Sequence, residues 1–415
     1  MRFIWFIIVI CFVSKGISQN APLLDSIIQA HPALKNIIDN KNKYKPQIIY
    51  TQINRDKDNH PKFKNFNYLV DSSNYFYCAS LVKLPCSILA LEKINNLNIP
   101  GLNKYSPMFT DSAHACQARF AVDTTSENKY PSVAHHIKKM LLVSDNNSYS
   151  RIFEFLTPKY IQPRLAELGY PNTRIVHRFD AHCRGEANLY FNQIRFFDKD
   201  LKLVYTQKPD SLLERFKNPL GDIFVGRDIK NKKGRVISQK KDFSKSNYMP
   251  LTTIHSVLQR LIFQTYLPEN KKYNITKDDW QFLVKHLGMM PRETQYPNYN
   301  KRIYYDSFKK YFIYGSKVST INKDTLRIFN IVGQAYGYVV DCAYIINPKT
   351  KTEFMLSAVL YCNEKNSFGT GSYEINSVGM PYLKELSLAI YDLERNRKKK
   401  HKPDLTEFNF SFGKE

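Results

Sequence analysis

Ser80 and Lys83 lie three residues apart, where an extended apolar run (Tyr75 to Ala79) gives way to a helix-like pattern from Leu81 to Ile94. Residues three apart on a helix share a face, so the Lys83 amine can be brought against the Ser80 hydroxyl. A serine hydroxyl is a weak nucleophile until a base takes its proton. Burial and a nearby cation lower a lysine pKa enough for it to accept that proton. The start of a helix also offers unpaired N–H groups to an oxyanion. Downstream stands Ser144-Asp145-Asn146, a triplet that occurs once. Together the two sites point to acyl transfer through a serine, with a lysine as base.

Neither motif is specific alone. Ser126/Lys129, Ser238/Lys241, Ser307/Lys310 and Ser411/Lys414 repeat the spacing in a lysine-rich chain. Ser144 and Asp145 also read as the cap of a helix that follows. The strand-to-helix setting of Ser80 and the single downstream triplet set this pair apart. His135, His136, His177 and His182 fit no Cys/His ligand spacing, and adjacent residues of a helix face different ways, so no metal is expected. Gly369-Thr370-Gly371 is too short for a phosphate loop. No cofactor is expected.

The elements that would hold these groups follow from periodicity. Leu23, Leu24, Ile27, Ile28, Leu34, Ile37 and Ile38 recur at helical spacing, and extended segments follow at Gln47 to Asn54 and Phe63 to Leu69. Helices are expected from Ser80 to Ile94, Val133 to Val143, Ser150 to Leu156, Ile161 to Leu168, Leu251 to Tyr266 and Lys277 to Leu287. Pro85 should kink the first of these or mark a later start. Residues 185–245 break the pattern and read as an inserted excursion. Three strands close the chain, Thr325 to Val332, Tyr336 to Ile346 and Glu353 to Cys362, before a helix opening at Pro381. The fold class is therefore α+β: one unit in which both chain ends build an antiparallel sheet (about 20–79 and 325–395) flanked by helices. A helical subdomain (about 80–320) is interleaved.

Residues 1–18 read as a signal peptide, with Arg2 before an apolar run from Phe3 to Val13 that is too short to span a bilayer. The mature chain, 19–415, is expected in the periplasm or outside the cell, as a monomer; a retained N-terminal anchor is the alternative. Cys78, Cys86, Cys116, Cys183, Cys342 and Cys362 match no framework, so they read mostly as buried thiols with room for one bridge. The net charge is +24. Lysines are scattered, apart from a dense run at Arg395 to Lys402, so the charge reads as a solvated basic face. Peripheral contact with an anionic cell envelope is the lesser reading, and nucleic acid is not an expected partner.

In motif order and architecture, from about Leu23 to Leu393, the chain resembles the penicillin-recognising serine enzymes. Within that family it is most similar to class A β-lactamases and low-molecular-weight D-alanyl-D-alanine peptidases. The resemblance implies Ser80 as the acylated nucleophile, Lys83 as its base, and Ser144 as the relay to the leaving nitrogen. It implies Asn146 as a contact to the substrate amide and Asp145 as a buttress of the loop. Gly333 and Gln334 would stand in the terminal strand, with the Gln334 N–H completing the oxyanion hole. Ile331 and Val332 replace the lysine and hydroxyl residue that bind a substrate carboxylate in the family; Lys317 or Lys323 would restore that site. The loop entered at Val176-His177-Arg178-Phe179-Asp180 carries Cys183 where a deacylating glutamate is expected, leaving Glu186 as the candidate. The implied activity is β-lactamase-like hydrolysis of a small-molecule or peptidoglycan-derived amide. A peptidase and a catalytically silent binding protein are the alternatives.

Overall fold

The computed structural model describes residues 21–112, 116–179, 185–321, 326–371 and 373–413; the expected signal peptide, Cys183, His182 and Lys323 lie outside them. Two short helices, α1 (Pro22–Ala30) and α2 (Pro32–Asp39), each open on a proline, whose fixed φ and missing N–H suit a first turn. The chain then forms a hairpin of β1 (Gln47–Arg55) and β2 (Pro61–Tyr68), in register from Ile48↔Tyr68 to Arg55↔Pro61.

The helix expected from Ser80 begins later. Ala79–Val82 is a tight 3₁₀ turn, and α3 (Lys83–Leu97) follows it. Pro85 then sits in the first helical turn, where its missing N–H costs nothing. Beyond it come α4 (Val133–Val143) and α5 (Asn146–Glu167). The two helices expected between Ser150 and Leu168 are the two halves of α5, separated by non-helical backbone at Thr157 (φ 57°, ψ 154°) just before Pro158. Next are α6 (Leu251–Ile262) and α7 (Lys277–Gly288), the latter capped reciprocally by Thr276 and Asp279. Strands β3 (Arg327–Ala335), β4 (Tyr338–Asn347) and β5 (Thr352–Tyr361) precede the closing helix α8 (Met380–Asn396).

The main sheet runs β3-β4-β5-β1-β2, every pairing antiparallel. Alternation along β3 divides the core. Phe329 and Ile331 pack on the side of α3 to α7, while Ile328 and Val332 pack on the side of α1, α2 and α8. The interleaved part is not wholly helical. Met108–Thr110, Ile194–Phe197 and Leu203–Gln207 form a three-stranded antiparallel ribbon, built on alternating apolar residues such as Ile194 and Phe196. Val236–Ile237, Asp228–Lys230 and Ser367–Phe368 form a second three-stranded ribbon, its first pairing antiparallel and its second parallel, which ties the 185–245 excursion to the end of the sheet.

Polar groups also join distant parts of the chain. Arg55 pairs with Glu353 at 2.7 Å, both side chains fully out of water. Tyr50 donates to Glu394 at 2.6 Å, and Arg397 and Lys399 flank the same carboxylate. The basic run from Arg395 is thus partly internal: two of its cations neutralise a buried acid. Cys78, Cys86, Cys342 and Cys362 are free and buried, and Cys116 is disulfide-bonded. Among the described residues no helix is long and apolar enough to cross a membrane.

Candidate active site

Ala79 adopts a left-handed φ of 46°, a conformation that costs a non-glycine residue about 1–3 kcal/mol and that gathers at functional sites. This twist turns the extended run from Tyr75 into the 3₁₀ turn and leaves Ser80 half-buried at its surface. One turn on, Lys83 is wholly buried. The triplet is delivered by a second such twist. Ser144 (φ 59°) ends α4, its N–H donating back to Lys139 and Met140. Asp145 caps α5 by accepting from the Ser148 N–H at 2.7 Å. The capping reading of Asp145 therefore holds alongside the geometry of its neighbours.

Lys83 Nζ is the hub. It lies 3.0 Å from Ser80 Oγ and 3.0 Å from Ser144 Oγ, and donates to the Ser144 carbonyl at 2.6 Å and to Asn146 Oδ1 at 2.8 Å. Phe179 lies beneath the amine, 5.4 Å from nitrogen to ring centre. Burial holds the Lys83 pKa well below the usual lysine range; the Lys309 charge pushes it the same way, and Asp145 opposes.

Gly333 explains how the terminal sheet reaches this group. A Cβ there would stand 2.6 Å from the Cys78 carbonyl oxygen and 3.3 Å from Leu81 Cγ, so only glycine lets β3 lie against the turn that bears Ser80. Gln334, next along the strand, is exposed and accepts from the Tyr311 hydroxyl at 3.0 Å. Ile331 and Val332 are buried in the two cores and present nothing to the cleft.

A family model described as the β-lactamase enzyme family matches residues 29–201. No curated protein matches the chain. Among solved structures, the TLA-1 extended-spectrum β-lactamase superposes with a TM-score of 0.50 at 12% identity, over 89% of this chain and 98% of that one. The chain has the β-lactamase fold. A β-lactamase from Sphaerobacter thermophilus gives 0.48 at 10% identity over 90% and 98% of the two chains. The protein PBP-A gives 0.49 at 11% over 91% and 97%.

Within this β-lactamase fold, Ser80, Lys83, Ser144 and Asn146 meet at hydrogen-bonding distance, and Gly333 and Gln334 form the adjacent strand. Glu186 stands apart. Its side chain is 77% exposed and pairs with Arg215 at 3.3 Å, with no hydrogen bond to Ser80 or Lys83. It borders a cavity of about 340 Å³ that Tyr77, His177, Phe179 and Tyr336 also line. His177 there is held near pKa 4 by burial, a neutral ring facing Tyr77. Lys317 is exposed, its Nζ 3.5 Å from the Arg302 carbonyl oxygen. The Ser307/Lys310 pair is structural: the Lys310 ammonium donates to Leu287 O, Ile328 O and Asn330 Oδ1. Among the described residues no group of His, Cys, Asp and Glu is arranged to hold a metal.

Sequence reasoning missed Lys309. Its side chain is half-buried in the loop before β3, 3.4 Å from the Tyr311 hydroxyl, and burial lowers its pKa to about 8. In a chain with 61 basic residues, no local pattern distinguishes it.

Proposed function

We propose that this protein is a serine acyl-transfer hydrolase that opens an amide or lactam through an acyl-enzyme on Ser80. The contact set of Lys83 carries this reading. Ser144 O and Asn146 Oδ1 act only as acceptors here, so they take the two N–H bonds of a neutral amine. The nitrogen lone pair is then left for the hydroxyls of Ser80 and Ser144. Burial favours that neutral form.

Ser80 Oγ attacks the carbonyl carbon while its proton passes to Lys83 Nζ. The negative oxygen is received by N–H groups at Ser80 and Gln334. The C–N bond then breaks, and the proton reaches the departing nitrogen through the Ser144 hydroxyl. Water attacks the ester that remains, releasing the acid and restoring the Ser80 hydroxyl.

A second reading is favoured by one observation. Among the described residues no carboxylate hydrogen-bonds Ser80, Lys83 or Ser144, and Glu186 is engaged by Arg215. Such a site acylates faster than it hydrolyses, as a penicillin-titrated peptidase does. Intact-protein mass spectrometry with benzylpenicillin tests the main proposal. An adduct on Ser80, absent in Ser80→Ala, is expected; no adduct with several lactams and esters would defeat it. Steady-state turnover then separates the two readings, because a β-lactamase cycles and a peptidase stalls after one equivalent. Export belongs to the same proposal, and a mature N-terminus near residue 19 is its readout.

A further inference from the structure

We propose that the arm between Phe224 and Asp242 docks the protein on an anionic membrane surface. Its cations meet acidic lipid headgroups and its exposed apolar side chains enter the interface. The inference is independent of any reaction at Ser80.

The arm is a fixed projection. It folds as two short antiparallel ladders, Phe224–Val225 with Lys241–Asp242 and Asp228–Lys230 with Val236–Ile237. Its root is tied to the body. Ile229 pairs with Phe368, and the Arg227 N–H donates to the Asn366 carbonyl at 2.7 Å. The Phe243 N–H donates to the Ile223 carbonyl at 2.8 Å, and its buried ring packs on Tyr336 and Phe368. At the far end Asn231 closes the turn, its Oδ1 accepting from the N–H groups of Lys233 and Arg235 at 3.0 Å each. Backbone and Asn231 thus shape the tip, and every residue from Lys232 to Lys240 is exposed.

The arm presents two kinds of group to its surroundings. Seven basic and two acidic residues lie between Phe224 and Asp242. Both acids are engaged, Asp228 with Arg227 and Asp242 with the Ser244 N–H. Among the described residues no carboxylate pairs with Lys230, Lys232, Lys233, Arg235 or Lys240. Beside these cations stand Phe224, Val236 and Ile237, 56%, 57% and 37% exposed. Val236 lies directly across the ladder from Lys230. A single exposed apolar side chain is ordinary; three on one short arm among five unpaired cations match an interfacial segment. A soluble polyanion would neutralise the charge and leave the apolar groups in water. A bilayer with acidic lipids satisfies both. The root also lies beside the candidate active site: Lys241 Nζ is 4.7 Å from the Tyr336 ring centre, and Tyr336 lines the cavity that reaches Phe179.

Protein beginning at Gln19 keeps every described element and lacks the apolar run of residues 3–13, which would enter lipid by itself. Its sedimentation with phosphatidylglycerol/phosphatidylcholine vesicles, against phosphatidylcholine alone, is the test. Binding to the acidic vesicles is expected, and Lys232→Gln/Lys233→Gln/Arg235→Gln should weaken it about ten-fold or more. Lys398→Gln/Lys400→Gln/Lys402→Gln removes the same charge from another exposed surface and should weaken it far less. Val236→Ser/Ile237→Ser should weaken vesicle binding and leave binding to soluble polyphosphate unchanged. No binding by the parent, or equal losses from the two charge triples, overturns the proposal in favour of a diffuse basic face. Vesicle binding that is insensitive to Val236→Ser/Ile237→Ser also overturns it, and assigns the arm to a soluble anionic polymer.

Discussion

At the scale of single residues, the proposed chemistry depends on Lys83 giving up its charge. Lys83 lies among two hydroxyls, a carbonyl and an amide oxygen, and among the described residues no carboxylate hydrogen-bonds it. Its pKa is displaced downward, and a base works only when deprotonated. The acylation rate is therefore expected to rise with pH and level off well below 10.5, measured as the second-order rate with a chromogenic lactam. Lys83→Met, which keeps the length and removes the base, should lower that rate about 10²- to 10⁴-fold. That Ser80, Lys83 and the triplet meet was legible because each motif is short and its spacing is set by one helix or one turn. The setting of Lys309 was not, because its carbonyl is held by Asn330, itself braced by Asp341, and that bond forms only once β3 and β4 have paired.

At the scale of elements, the decisive contact is that between β3 and the turn carrying Ser80. Gly333→Ala would drive a methyl group to 2.6 Å from the Cys78 oxygen, so strand and turn must separate. A loss of about 1–3 kcal/mol in stability is expected from such overpacking. Acylation should fall by more than that loss explains, because Gln334 moves with the strand; chemical denaturation and adduct formation on the same sample check both. Helices α4 and α7 and the strands of the sheet were readable to within two or three residues, since their apolar periods are regular. The start of α3 was not. Local pattern does not reveal that Ala79 takes a left-handed turn, which makes the residues around Ser80 a 3₁₀ turn rather than an α-helix. The bend at Thr157 was visible only as a gap between two expected helices, with Pro158 as its cause.

At the scale of the whole molecule, the two chain ends are held together by buried charge as well as by strands. Removing one partner of the Arg55–Glu353 pair strands the other out of water, and such losses cost about 3–5 kcal/mol. Glu353→Gln should lower the melting temperature accordingly, and adding Arg55→Met should recover part of the difference; calorimetry on the two variants is the check. The general order of strands and helices could be read along the chain, but the pairing of Arg397 and Lys399 with Glu394 beneath Tyr50 could not. A run of cations looks the same in sequence whether it faces water or a buried acid. Strand β1 sits between β2, its immediate successor, and β5, some three hundred residues later. A ribosome must deliver β5 before β1 gains its second neighbour, and α8 before the Tyr50 hydroxyl finds its acceptor. Until then β3 has no finished sheet from which to press against the Ser80 turn. If the proposed acylation holds, reactivity toward a lactam is acquired only after β5 and α8 have been made, and arrested nascent chains lacking β5 should remain unlabelled by a fluorescent penicillin under conditions that label the full chain.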